Sequence, residues 1–447
     1  MMNGDGSVRE LAREIPVVRT CDVLVVGGGP AGTAAAASAA RMGADTVLLE
    51  RYGHLGGMST GGFVLWIDRM TDWGGRQVIA GFASELLSRL PPDAIQGAPP
   101  AAWGATDSAA VAYWAERHAA FQGTVTWSPT IDPEWLKIVS QECLLERGVT
   151  LFLHCWAAAP VQGKDGVGGV IIESKAGRQA IQAAVVVDCT GDGDIFAQAG
   201  APFEQDVEPD NMHHTMNLAF RWGGVDYERY ATFRREEPAA YESLMTQAAA
   251  AGMRDRPFRS PRPDVCFFMG PKLPGYSCLS IKDLTAVEIE SRRRMLRMLG
   301  FYRAHVPGFQ DAWILDTAAQ MGVRHSRRLV GVKRVTRTMG LAGTRHADEI
   351  GVCPPPNAKE PNVSIPLGSL VPSKLDGLIV AGRNLSCDAM SHTFLREVPV
   401  CWVMGQAAGV AAAMAVASGI PPRAVPARRV QRELLQQGAY LQSGGPK

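Results

Sequence analysis

Between Cys21 and Glu50 the chain alternates in a way that few patterns other than a βαβ half-unit produce. Val23-Leu24-Val25-Val26 is an apolar run of strand length, Gly27 to Gly32 is a glycine turn, and Ala31 to Arg41 is a helix of small residues. Thr46-Val47-Leu48-Leu49 is a second strand ending at Glu50. Further on, Asp132 to Gly148 predicts a helix with Asp132 as N-cap and Pro133 at its first position. Val149 to His154, Val167 to Glu173 and Ala180 to Asp188 have strand length, and the last ends abruptly in Cys189-Thr190-Gly191-Asp192-Gly193-Asp194. Residues 91–109 read as an exposed connection before a helix around Ala110 to Gln122. From about 201 the character changes towards arginine, methionine and aromatic residues, with helices expected near 226–250 and 283–304. Leu378 to Gly382 then predicts a short buried strand, and Val398 to Ala417 a long helix of small residues.

These elements imply an α/β fold: a Rossmann-type nucleotide-binding lobe interrupted by an inserted α+β lobe. The expected division is 20–200 for the first part of the nucleotide lobe and 201–335 for the inserted substrate or cap lobe. Residues 336–425 form its second part and 426–447 a C-terminal tail. At 447 residues two lobes around a cleft are the natural arrangement.

Composition narrows the partners. Forty-five Lys and Arg nearly cancel forty-four Asp and Glu, which leaves no electrostatic footprint for nucleic acid. The nine cysteines include no Cys-x-x-Cys and no paired ligand spacing, so reduced thiols in a cytoplasmic protein are expected, with no structural metal. His213-His214 sits badly for a shared metal, because neighbours on a strand face opposite ways. No signal stretch is expected in the first nineteen residues, and the Ala407 to Ala417 run is short for a membrane span. A small-molecule substrate is the expected partner, with self-association left open.

The glycine loop carries chemistry. A diphosphate needs backbone N–H groups aimed at it without side chains in the way: Gly27 allows the tight turn, Gly29 admits the diphosphate and Gly32 lets the helix press on the strand. Pro30 and Ala31 open that helix, and Glu50 is placed for ribose hydroxyls. FAD and NAD share this pattern, so the run Glu50-Arg51-Tyr52-Gly53-His54-Leu55-Gly56-Gly57-Met58-Ser59 must decide. It resembles the flavoprotein superfamily that includes glutathione reductase and fumarate reductase, and in particular its broad family of FAD-dependent oxidoreductases. Asp188 to Asp194, the 322–331 segment and the Gly405-Gln406-Ala407-Ala408-Gly409 helix carry the same likeness.

The resemblance implies FAD, held by Gly56, Gly57, Met58 and Ser59 besides the loop. It adds Thr190, Gly191 and Asp192 from the second contact strand. Gly382, Arg383, Asn384, Gly405, Gln406 and Ala407 would close over the ribityl and ring. It implies hydride transfer between the flavin and a small organic metabolite, by a dehydrogenase or an oxidase. An NAD(P)H-dependent flavin hydroxylase and a flavin electron-transfer subunit are the alternatives. Against the hydroxylase, the final flavin strand has Gly382-Arg383-Asn384 where aromatic hydroxylases carry Gly-Asp-Ala.

Candidates for moving a proton or clamping an anion lie beside these segments: His392 foremost as base, then Arg324, His325, Arg328 and Arg396. Interlobe ion pairing is the structural alternative for the arginines, and a satisfied structural imidazole for His392. Related sequences often place a His where this chain has Ala389 and an acid where it has His325. His54 is a candidate for covalent flavin attachment.

Overall fold

The computed structural model describes residues 12–164, 166–205, 214–253 and 255–442. The start of the chain, His213 and the last five residues, on which expectations above partly fell, lie outside the described residues.

The sequence's clearest segment organises the main sheet. Strand β1, Val17–Val26, runs parallel to β2, Thr46–Leu49, with Val23 opposite Thr46, and on its other side parallel to Gly177–Asp188, with Val23 opposite Val185. Thr150–Phe152 extends this sheet beyond β2, and Leu378–Val380 adds to the far end of Gly177–Asp188. The beginning of that long strand instead pairs antiparallel with Val167–Ser174, which pairs with Trp156–Gln162. The parallel strands are apolar throughout because both faces are covered. Val23, Leu24, Val25, Val47 and Leu48 have no exposure at all.

Helix α1, Pro30–Arg41, starts at Gly29 with Pro30 at its first position and buries nine consecutive small residues from Ala31 to Ala39. It lies along the Val398–Ser418 helix so closely that a methyl on Gly405 would sit 2.0 Å from the Ala31 carbonyl oxygen, and one on Gly409 2.2 Å from that of Ala35. The Val398–Ser418 helix is long and apolar enough by composition to cross a membrane, but 89% of its apolar window is buried inside the protein. Ala427–Gln436 packs on it through Val430 and Leu434, so this helix is docked.

The second lobe is built on an antiparallel sheet of Phe258–Arg259, Cys266–Phe268, Phe220–Gly223 and Trp313–Thr317. Tyr227–Glu236, Pro238–Ala250 and Ile281–His305 cover it around an aromatic core of Trp222, Phe268, Tyr302 and Phe309. One expected helix is shorter than its pattern suggested. Ser108–Ala115 ends before Ala120–Phe121 and Thr124–Val125, a hairpin turning at Gln122 and Gly123, both with positive φ. Two left-handed residues make that turn and cannot continue a helix.

Candidate active site

A cavity of about 590 Å³ opens where β1, β2, Gly177–Asp188 and Leu378–Val380 all end, the position at which parallel sheets bind ligands. Its nucleotide end is lined by Gly27, Gly29, Pro30 and Ala31, by Glu50 and Arg51, and by Gly57 and Met58 across from them. Thr190, Gly191 and Asp192 follow, then Gly382 and Arg383. The α1 N-terminus carries no side-chain cap and no acid in its first turn, which leaves its N–H groups for a bound anion. Gly57 has φ +50, and a methyl there would fall 2.7 Å from the Gly29 Cα, so two bare backbones face one another across this end. Glu50 closes it, its Oε2 accepting from Gly28 N at 2.7 Å and its Oε1 from Tyr52 N at 2.9 Å. Burial pushes the Glu50 carboxyl above its ordinary range. The Arg51 guanidinium lies about equally close to two rings, 5.0 Å from Tyr52 and 5.1 Å from Trp156, both at the cavity. An uncapped helix, a cradle without side chains and a carboxylate at the end of β2 fit the diphosphate and ribose of FAD.

Seven expected contacts stand elsewhere. Gly32 presses on the Gly27 carbonyl, Gly56 and Ser59 hold each other through a 2.7 Å hydrogen bond, and Asn384 donates to the Asp188 carbonyl behind the cavity. Gly405 is a helix-packing residue against Ala31. Gln406 accepts from Phe82 N and donates to Gln437, and Ala407 is fully buried. Small residues in a helix serve close packing as readily as cofactor approach, and here they serve packing. Val398 and Cys401 of the same helix reach the cavity instead. His54 does not line it either: its ring packs on Gly61 and stacks with Tyr52.

The catalytic candidates divide. Arg324 and Arg396 line the far end of the cavity; His392, His325 and Arg328 do not. These three form a buried chain behind Arg383. Arg328 Nη1 donates to His325 Nε2 (3.0 Å), so His325 Nδ1 donates to His392 Nδ1 (3.4 Å) and His392 Nε2 donates to the Arg383 carbonyl (2.7 Å). Burial, then the neighbouring His325, holds His392 well below the usual histidine range. The His214 ring packs tilted against His325, centroids 4.5 Å apart. His392 as base is thereby corrected: closeness in sequence to the flavin segments placed it under them.

The far end also holds groups that no motif marked. Lys272, Asp68, Glu397, Trp66 and Met269 share the wall with Arg324 and Arg396. Arg324 donates to Thr215 Oγ1 at 3.1 Å and Asn217 Oδ1 at 3.0 Å, and burial with the nearby Arg396 lowers it to about 10. Burial, then Arg324, lowers Lys272. Arg396 pairs with Glu397 at 3.3 Å, and its buried Nε has no hydrogen-bond partner among the described residues. Asp68 is pushed up to about 6, by burial first, with Arg69 opposing and Glu397 adding to the rise. Asp192, which burial would raise, is instead held below its ordinary range by Arg383 at 2.7 Å.

This fold and this site define a Rossmann-type flavoprotein. The chain belongs to the family of FAD dependent oxidoreductases, whose family model matches residues 22–434. Among solved structures it is similar to a geranylgeranyl bacteriochlorophyll reductase-like protein from Thermoplasma acidophilum, with TM-score 0.47 and 13% identity over 94% of this chain and 84% of that one. It is similar also to p-nitrophenol 4-monooxygenase PnpA from Pseudomonas putida DLL-E4 (0.46, 13%, 94% and 86%). A third is L-proline dehydrogenase from P. horikoshii (0.43, 12%, 96% and 100%).

Proposed function

We propose that this FAD-dependent oxidoreductase moves a hydride between its flavin and a small carboxylate-bearing metabolite. The observation that carries the reading is the convergence of Arg324, Arg396 and Lys272 on one end of the cavity, next to the cofactor segments at Met58 and Arg383. These three cations share the chamber with the carboxylates Asp68 and Glu397, and the Asp255 carboxylate also acts on Arg324 and Lys272. An anion entering the chamber recovers charge interactions that water there would screen.

Bound FAD supplies the two-electron acceptor or donor. The residues do the rest. Arg324, fixed from behind by Thr215 and Asn217, presents its remaining N–H groups in a planar fork that suits a carboxylate. Arg396 and Lys272 neutralise the second oxygen, while Trp66, Val64 and Met269 supply apolar walls that keep bulk water from the reacting carbon. The free thiols, eight of nine buried, support the expectation of a cytoplasmic setting.

The test is to mix FAD-loaded protein anaerobically with 2-hydroxy and 2-amino acids and follow flavin absorbance. Bleaching is expected, and admitting air with a peroxide assay then separates oxidase from dehydrogenase. Rapid bleaching by NADPH alone would favour a hydroxylase. No bleaching by any small molecule would favour an electron-transfer subunit.

A further inference from the structure

The segment between Phe63 and Arg69 runs along the chamber with alternating side chains. Val64, Trp66 and Asp68 line the cavity, whereas Leu65 and Ile67 are wholly buried on the opposite side, where the backbone pairs with Pro129 and Ile131. Both ends are pinned in conformations that bulky residues rarely adopt: Phe63 and Arg69 each have φ +52. Left-handed backbone at a bulky residue is costly and persists only where its surroundings enforce it. Here Arg221 lies over the Phe63 ring at 4.8 Å. Arg69 donates to the Pro355 carbonyl at 2.8 Å and lies over Trp73 at 4.2 Å. A one-residue slip would turn Asp68 into the core and Ile67 into the chamber, so the register fixes Asp68 towards the cavity.

Asp68 also differs from an acid buried for structure. Asp188 accepts from the backbone and hydroxyl of Thr190 and from the backbone of Ile195 and Phe196. Asp68 has an ion contact with Arg69 Nε at 3.4 Å and, among the described residues, no hydrogen bond. It lines the same cavity as Arg324, Arg396 and Lys272.

We propose that Asp68 is the proton acceptor of the reaction, taking the hydroxyl or amino proton of a substrate whose carboxylate is held by Arg324, Arg396 and Lys272. The inference rests on the anion-binding reading above. In the step, the O–H or N–H proton passes to an Asp68 oxygen and the freed electron pair forms C=O or C=N. The C–H hydrogen leaves with its pair, bound FAD being the two-electron oxidant, and the proton on Asp68 returns to water with product release. Other groups suit the task less. Glu397 is spent on Arg396, and His392 is enclosed. Asp68 is pushed up to about 6, so it is ionised at neutral pH yet basic enough to accept a proton. The charged groups around it are Arg69, Arg396 and Glu397, with Lys272 and Arg324 on the same chamber.

Two measurements on FAD-loaded wild type, Asp68→Asn and Asp68→Glu test this, with FAD content and thermal unfolding as controls for folding. The first follows sulfate binding through the flavin spectrum between about pH 5 and pH 8. Ionisation of Asp68 should weaken wild-type binding about tenfold across that range, and Asp68→Asn should bind without this pH dependence. The second is the anaerobic rate of flavin reduction by whichever of lactate, malate, alanine or sarcosine bleaches the wild type. Asp68→Asn should lower it on the order of 10²–10⁴-fold, with Asp68→Glu partly restoring it. An unchanged rate or an unchanged binding profile in Asp68→Asn overturns the proposal and leaves the anion reading standing. Failure of sulfate to bind the wild type, or of every acid to bleach it, removes the anion reading and the proposal with it.

Discussion

Gly405→Ala separates the two roles that a small residue in the Val398–Ser418 helix can have. The added methyl would meet the Ala31 carbonyl oxygen at 2.0 Å and its carbon at 2.8 Å, against a normal closest approach of roughly 3.2 Å. The two helices must therefore separate by about 1 Å, and the obstacle is backbone, which has no rotamer to escape into. Overpacking of this kind costs up to about 3 kcal/mol, and the better helix propensity of alanine returns about 1, for a net loss of about 2 kcal/mol. Because Ala31 lines the nucleotide end of the cavity, its displacement should also weaken FAD about tenfold. Gly409→Ala meets the Ala35 carbonyl at 2.2 Å, one turn further from the cavity. It should cost similar stability and leave FAD affinity within about threefold. Urea unfolding of the apoproteins and FAD titration by fluorescence supply both numbers. A Gly405→Ala variant as stable as wild type that nonetheless lost FAD would refute the packing argument and restore a direct cofactor contact.

Three further outcomes follow from the site. Arg328→Ala removes buried donors to the Cys387 carbonyl and His325 and leaves Glu204 paired with Arg334 alone. It should cost about 3 kcal/mol in urea unfolding while the flavin reduction rate of the FAD-loaded fraction stays within about twofold. His392→Gln should leave that rate and its pH profile unchanged and cost about 1–2 kcal/mol of stability; a collapse of the rate would return it to the mechanism. Finally, Asp68 binds a proton more tightly folded than unfolded. Apoprotein stability should therefore fall as pH rises from the ordinary aspartate range through about 6, and Asp68→Asn should flatten that part of the profile.

The nucleotide half of the site was legible because its determinants are local: Gly27 to Gly32 and Glu50 lie on one strand-helix-strand unit whose geometry the pattern dictates. Thr190 to Asp192 and Arg383 were legible through a family likeness, since each ends a strand of the same sheet. Residues whose placement depends on tertiary packing were not. Gly405 and Gln406 read as cofactor contacts because small residues permit either ligand or helix to come close, and only the neighbour's position decides. His392 sits between two flavin segments in sequence, but the short helix Ala389–Leu395 turns it inward onto the Arg383 carbonyl. Lys272 and Asp68 carry no motif. The signal for Asp68 was the alternation Val64, Trp66, Asp68 against Leu65 and Ile67, a period of two in a segment too short and glycine-flanked to read as a strand.

The central claim, a flavin site that selects its substrate by negative charge, is tested most directly by comparing acids with their uncharged amides. FAD-loaded protein is mixed anaerobically with each 2-hydroxy or 2-amino acid and with the corresponding amide, and bleaching rates are compared. The account predicts that the acid bleaches the flavin and that the amide, which cannot satisfy Arg324, Arg396 and Lys272, is at least about 100-fold poorer in rate over half-saturation. Equal bleaching by acid and amide would contradict it.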